Sequence, residues 1–157
     1  MDDALKVGTE TVEVTLSFLD GLNETVVVPI PTHDEHRTSR VRRLVGFFNV
    51  REAFVAVRRT DDGGTIIIRK SRIRWVEVLR GATPSDEDRA GIAQRISIRF
   101  PMGFLAHGTV YNDLPAGRQR VRDFLNQPDP FFFLETDQRL LLVNRETASR
   151  VYDPPLG

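Results

Sequence analysis

Two halves of the 157-residue sequence carry the same five elements in the same order. Each half begins with a run that alternates apolar and polar residues and ends on phenylalanine, at 12–18 and at 94–100. A second extended run, an arginine-rich helical pattern and two further apolar runs follow in each half. Because order, spacing and chemical type all recur, the sequence predicts a tandem duplication of one module.

Each half is predicted to form strand, strand, helix, strand, strand, a short 3₁₀ turn and a last strand. Alternating apolar residues are typical of half-buried strands, whereas Val41, Leu44 and Phe48 recur at helical spacing. The run 61–64 has the composition of a tight hairpin between the third and fourth strands. We therefore expect a mostly β chain of the α+β class.

The boundary between the modules is predicted where turn residues and charges occur without periodicity. It assigns residues 10–80 to the first module, 81–92 to a linker and 93–157 to the second module. A module of about 70 residues buries only a thin core by itself. We therefore expect the two modules to pack side by side about an approximate two-fold axis.

The apolar positions of these patterns define a predicted core. Its members are Leu16, Phe18, Val41, Leu44, Phe54, Ile67, Ile98, Phe100, Val121, Phe124, Leu125 and Leu142. In the run 131–134, alternation points Phe132 away from its phenylalanine neighbours. Phe132 is then either buried between the modules or, if the first module does not cover it, part of a surface that binds a partner.

Composition narrows the classes of function. The chain has no cysteine, which excludes disulfides and thiolate metal sites and fits a reducing compartment. Its acidic start is unlike a signal peptide, and it contains no apolar run of the roughly 18 residues that a membrane span needs. We expect a soluble cytoplasmic protein that does not bind membranes.

Charge is balanced overall but unevenly distributed. Residues 1–36 carry a net charge of −7, residues 37–80 a net charge of +8, and residues 81–157 a net charge of −1. The cations of the first module are Arg37, Arg40, Arg42, Arg43, Arg69, Lys70, Arg72 and Arg74. They form either a face that binds phosphate groups or a solvated face neutralised by the acidic segment. We expect Arg37, Arg40, Arg43 and Arg72 to be exposed.

The run His33–His36 is the only cluster that suggests a metal or catalysis. Its alternative is an exposed helix start, where Thr32 and Glu35 would form a capping box. The second half has no counterpart, so we expect no metal site, and His107 is expected in a solvated turn. Neither a nucleophile elbow nor a phosphate-binding loop is found, so we expect no cofactor and no enzyme activity.

The run Gly64–Val76 resembles the second signature of Sm-like proteins, in which a strand, a basic turn and a final strand follow one another. The same order closes SH3-like barrels, and the pairing of two such modules is similar to bacterial duplicated-module proteins. The sequence departs from Sm-like proteins by the helix between its second and third strands. The resemblance implies a small barrel that binds RNA or nucleotides.

Two functions follow from these patterns. The first is a non-catalytic adaptor or scaffold that binds a protein partner, or its own copies, through strand edges and apolar patches. The second is Sm-like binding of RNA or a nucleotide through the basic residues of the first module. The candidate binding residues for the two functions are Arg37, Arg40, Arg43, Arg69, Lys70, Arg72 and Phe132.

Overall fold

A computed structural model describes residues 9–31 and 38–157. These residues form one sheet of ten strands whose pairings are all antiparallel, which confirms a mostly β fold. The strands are β1 (Thr9–Phe18), β2 (Asn23–Pro31), β3 (Phe54–Arg59), β4 (Thr65–Arg69), β5 (Ile73–Arg80), β6 (Ile92–Arg99), β7 (Leu105–Asn112), β8 (Phe131–Glu135), β9 (Leu140–Asn144) and β10 (Arg150–Tyr152). The helices are α1 (Arg40–Phe48) and α2 (Val121–Leu125), and 3₁₀ turns lie at Lys70–Arg72 and Arg145–Thr147.

The order of strands in the sheet is β10-β6-β7-β8-β9-β5-β1-β2-β3-β4. The halves of the chain meet where β5, the fifth strand of the first half, pairs with β9, the fourth strand of the second. A two-fold axis between the halves would have to bring β10 against β4 in the same way. Those two strands lie at opposite ends of the sheet, so the predicted two-fold relation is wrong.

Helix α1 begins where the Ser39 hydroxyl accepts a hydrogen bond from the Arg42 amide at 3.1 Å. Its apolar stripe, Val41, Leu44 and Phe48, is buried as its spacing predicts. The predicted capping box at Thr32 lies outside the described residues. In the second half the helix begins at Val121, directly after its cap residue Arg120.

The core consists of two clusters of buried side chains, one for each half of the chain. The first cluster combines the inward faces of β1 to β5 with α1, and it also contains Phe131 and Leu142 from the second half. The second cluster combines β6 to β9 with α2, and Trp75 from the first half packs against it. Each core therefore borrows side chains from the other half.

Two members of the predicted core are wrong. Phe54 is 47% exposed and Ile67 is 68% exposed, on strands β3 and β4. Their neighbours Val55 and Ile68 are buried, so alternation points Phe54 and Ile67 outward. Of the other predicted members, Phe18 and Leu125 are half-buried and the rest are buried.

No helix among the described residues is long and apolar enough to cross a membrane.

Truncation of Phe124 to alanine tests the second core. The ring of Phe124 is buried and lies edge-on to the ring of Phe132, with centroids 5.3 Å apart. We expect Phe124→Ala to lower the free energy of unfolding by about 3–5 kcal/mol in urea denaturation. Leu22→Ala, at a side chain that is 67% exposed, is the control and should change it by less than about 0.5 kcal/mol. A loss below about 1 kcal/mol for Phe124→Ala would show that α2 does not dock on this core.

Candidate functional site

The junction between the halves is a four-residue antiparallel ladder. In its register Val76 lies opposite Leu142 and Trp75 lies opposite Val143. At its end the buried Asn144 amide donates hydrogen bonds to the carbonyls of Lys70, at 3.5 Å, and Ile73, at 3.0 Å. Backbone pairing and a buried amide thus fix the position of one half against the other.

A second contact joins α1 to the start of β8. The Asn49 amide donates to the Phe131 carbonyl at 2.9 Å, and the Phe131 amide donates back to the Asn49 side-chain oxygen at 2.8 Å. The rings of Phe48 and Phe131 lie 5.5 Å apart. Phe131 is therefore buried in the core of the first half rather than in its own.

Two cavities flank this junction, with volumes of about 220 Å³ and about 330 Å³. Arg145 lines the first and Lys70 the second, and burial lowers the pKa of both groups. Arg145 donates to the carbonyls of Asp129 and Phe124, each at 2.6 Å, and Lys70 donates to the Val50 carbonyl. Because both cations already donate hydrogen bonds to backbone carbonyls, we interpret them as groups that stabilise the fold.

The arginines on α1 are engaged with acidic residues of the same chain. Arg40 and Arg43 both pair with Glu10 of β1, the latter at 3.3 Å, and Arg43 is only half-exposed. Arg42 pairs with Glu87 at 2.9 Å. Part of the positive charge of residues 37–80 is thus neutralised by the acidic segment 1–36, as one of the two sequence hypotheses expects.

The other cations of the predicted basic set do not form one exposed basic surface with the arginines of α1. Arg69 and Arg72 are exposed, whereas Lys70 and Arg74 are buried. The Arg74 guanidinium carbon lies 3.3 Å from the centroid of the Phe104 ring, and the group donates to the Ser17 hydroxyl at 2.7 Å. Alternation on a strand places such a residue correctly, but cannot show that a distant aromatic ring will cover it. Arg37 lies outside the described residues.

Phe132 does not form a partner surface. Its side chain is buried in the second core with Phe124 and Val143, and not between the two halves. The exposed phenylalanine is Phe54 instead. Its ring lies under the Arg69 guanidinium, 4.5 Å from centroid to carbon.

The backbone of β4 has an unpaired side. Within the described residues β4 pairs with β3 alone, and hydrogen bonds at both ends of that pair join Arg59 to Gly64 and Ala53 to Lys70. Hydrogen-bonded and non-bonded positions alternate along an antiparallel pair, so every second residue of β4 points its backbone groups outward. Those residues are Thr65, Ile67 and Arg69. We call these three residues, together with the exposed Phe54, the β4 edge.

The described residues contain no group of three or more histidine, aspartate or glutamate side chains that could hold a metal. The predicted candidate His33–His36 lies outside them. His107 lies in β7, and not in a turn as predicted, where its Nδ1 is 2.6 Å from the Ser97 hydroxyl. The β4 edge combines the unpaired backbone side of β4 with the exposed side chains of Phe54 and Ile67.

Comparison of the chain with models of protein families, with curated proteins and with solved structures gives no match.

The Asn49 contact can be tested against a matched position. Asn126 ends α2 as Asn49 ends α1, but it is exposed and its side-chain amide donates to the Arg122 carbonyl of its own helix. Asn49→Ala leaves both backbone groups of Phe131 without their partner and should cost about 2–3 kcal/mol of unfolding free energy in urea. Asn126→Ala should cost less than about 1 kcal/mol. Equal losses would show that the Asn49 contact does not hold the halves together.

Proposed function

We propose that the chain is a non-catalytic scaffold, made of two copies of one module, that binds protein through the β4 edge. The observation that carries this proposal is the exposure of Phe54 and Ile67, whose counterparts Phe131 and Leu142 are buried under the first half. One copy of the surface is covered within the chain. The other is available to a partner.

Three features support the duplication. The strand order of the first half is β5-β1-β2-β3-β4, and that of the second half is β10-β6-β7-β8-β9, which is the same order counted within each half. Each half places its helix before the third strand, and each places a 3₁₀ turn between the fourth and fifth strands. The last feature also supports the likeness to Sm-like modules.

The position of the exposed residues supports protein binding. An unpaired strand with apolar side chains invites another strand, since the backbone supplies hydrogen bonds and alternate side chains supply specificity. Ile67 and Phe54 lie on the two last strands of the sheet, beside the outward-pointing backbone groups of β4. A strand added there would place its own side chains beside Ile67 on the same face of the sheet and reduce the exposure of Ile67.

Nucleic-acid binding through the basic residues is the competing hypothesis. Its strength depends on cations that can neutralise phosphates and release counterions. Arg40 and Arg43 already pair with Glu10, and Lys70 is buried. These contacts weigh against a broad phosphate-binding face.

Crosslinking in cells tests the proposed function. A photoreactive residue in place of Ile67 should form covalent adducts with protein, and these adducts should survive nuclease treatment. The same residue in place of Leu22, which is 67% exposed in the turn after β1, is the matched control and should form far fewer. Adducts that nuclease removes, or equal yields at the two positions, would contradict a protein-binding β4 edge.

A binding measurement tests the competing hypothesis. We expect the purified wild-type protein to show no measurable affinity for single-stranded RNA near physiological salt, because the chain carries no net charge and its α1 arginines are paired. Fluorescence anisotropy with a labelled RNA of mixed sequence gives this affinity. A tight complex that weakens steeply with salt would favour the nucleic-acid function.

A further inference from the structure

We propose that the partner of the β4 edge is strand β10 of a second copy of the chain, so that copies associate head to tail. Within the described residues β10 ends the sheet and pairs with β6 alone. This inference rests on the proposed function and names its partner. The β5–β9 junction inside the chain supplies the geometry: β4 is the counterpart of β9, and β10 is the counterpart of β5. The two strands that end the sheet are therefore the two strands that this junction would use again.

The intrachain register predicts the intermolecular one. Val76 lies opposite Leu142 within the chain, and both side chains are fully buried. Val151 follows its 3₁₀ turn at the same spacing as Val76 follows the turn of the first half. Ile67 precedes its 3₁₀ turn at the same spacing as Leu142 precedes the turn of the second half. The inference therefore places Val151 of one copy opposite Ile67 of the next, and covers the most exposed apolar side chain of β4.

A groove lies beside β10. It has a volume of about 500 Å³ and lies between α2 and β10. Its lining combines the apolar Val121, Leu125, Ala148 and Val151 with polar and charged side chains, among them Arg122, Arg145 and Arg150. The matching space of the first half, between α1 and β5, is filled by Phe131 and Leu142. In the proposed contact Phe54 and Ile67 of the second copy enter the groove as their counterparts enter the first core.

Asn126 is positioned to make a hydrogen-bonding contact with the second copy. Asn126 ends α2 five residues before β8 begins, as Asn49 ends α1 five residues before β3 begins. Asn49 holds the backbone of Phe131, the first residue of β8. Asn126 can bond the backbone of Phe54 in the same way, because the described pairing of β2 with β3 reaches only Arg58 and Arg59.

One residue differs between the two halves at a position that affects the strength of the proposed contact between copies. The position of Asn144, whose amide donates to the Lys70 carbonyl, is occupied in β4 by Arg69. The counterpart of Lys70 is Arg145, so the contact between copies would place the Arg69 guanidinium, instead of an amide, against the backbone carbonyl of Arg145. Burial of a charged guanidinium carries a desolvation cost that burial of a neutral amide does not, so this contact is weaker than the one inside the chain. Arg69→Asn should therefore strengthen association.

Such a contact joins two different surfaces, so each added copy presents the same two free edges again. Heterologous contacts of this kind close into a ring or continue as a filament. The smallest ring contains two chains and a filament contains many, so in either case the mass measured by light scattering rises with protein concentration.

Engineered cysteines test the register, because the chain has none of its own. Ile67→Cys protein mixed with Val151→Cys protein should form a disulfide-linked dimer of the two under mild oxidation, in clear excess over either protein alone. The double variant Val76→Cys with Leu142→Cys is the positive control and should form its disulfide within one chain. Leu22→Cys mixed with Val151→Cys is the negative control, since its exposure matches that of Ile67.

Light scattering over a concentration series tests association without cysteines. Wild type should gain mass with concentration, Ile67→Lys should stay monomeric, Leu22→Lys should behave as wild type, and Arg69→Asn should associate at lower concentration. Circular dichroism should show that all four are folded.

A wild type that stays monomeric, with no 67–151 disulfide while the 76–142 disulfide forms, overturns the inference. The crosslinks at position 67 then decide the proposed function separately, since adducts with a different protein would uphold it.

Discussion

The structure depends on the junction where β5 pairs with β9. Four ladder positions, the buried Asn144 amide and the reciprocal hydrogen bonds between Asn49 and Phe131 act together there. Each half would otherwise expose an apolar strand face that its own helix does not cover. Since Phe131 and Leu142 complete the first core, neither half has a full core without the other. The two halves therefore share one continuous sheet and contribute side chains to each other's core.

Much of the fold could be predicted from the sequence, because strands and helices have distinct apolar periods. The elements, their order and the buried stripe of α1 follow from local pattern. The burial of side chains on the outward face of a strand does not follow from local pattern, since it depends on which strands become neighbours in the sheet. Ile67 and Leu142 occupy the same position in the same pattern, yet one is 68% exposed and the other fully buried. Only the sheet order distinguishes them.

The same limit holds for charge. Composition correctly identifies a basic segment after an acidic one, but not which groups pair. Arg40 and Arg43 converge on Glu10 because α1 lies over β1 and β2, a contact between residues some 30 positions apart. Arg74 and Lys70 are buried by a ring and by carbonyl groups that no local pattern links to them. The exposed basic surface is therefore smaller than the sequence predicts.

The position of β4 and β10 at opposite ends of the sheet has a consequence for the stoichiometry of the proposed assembly. If every junction pairs a fourth strand with a fifth strand, junctions within a chain and contacts between chains alternate around any closed assembly. The number of modules in such an assembly is then always even, and dissociation releases whole chains. In such an assembly Asn144 would lie at each junction within a chain and Arg69 at each contact between chains. A single side-chain difference between otherwise equivalent strands would thus set where the assembly opens.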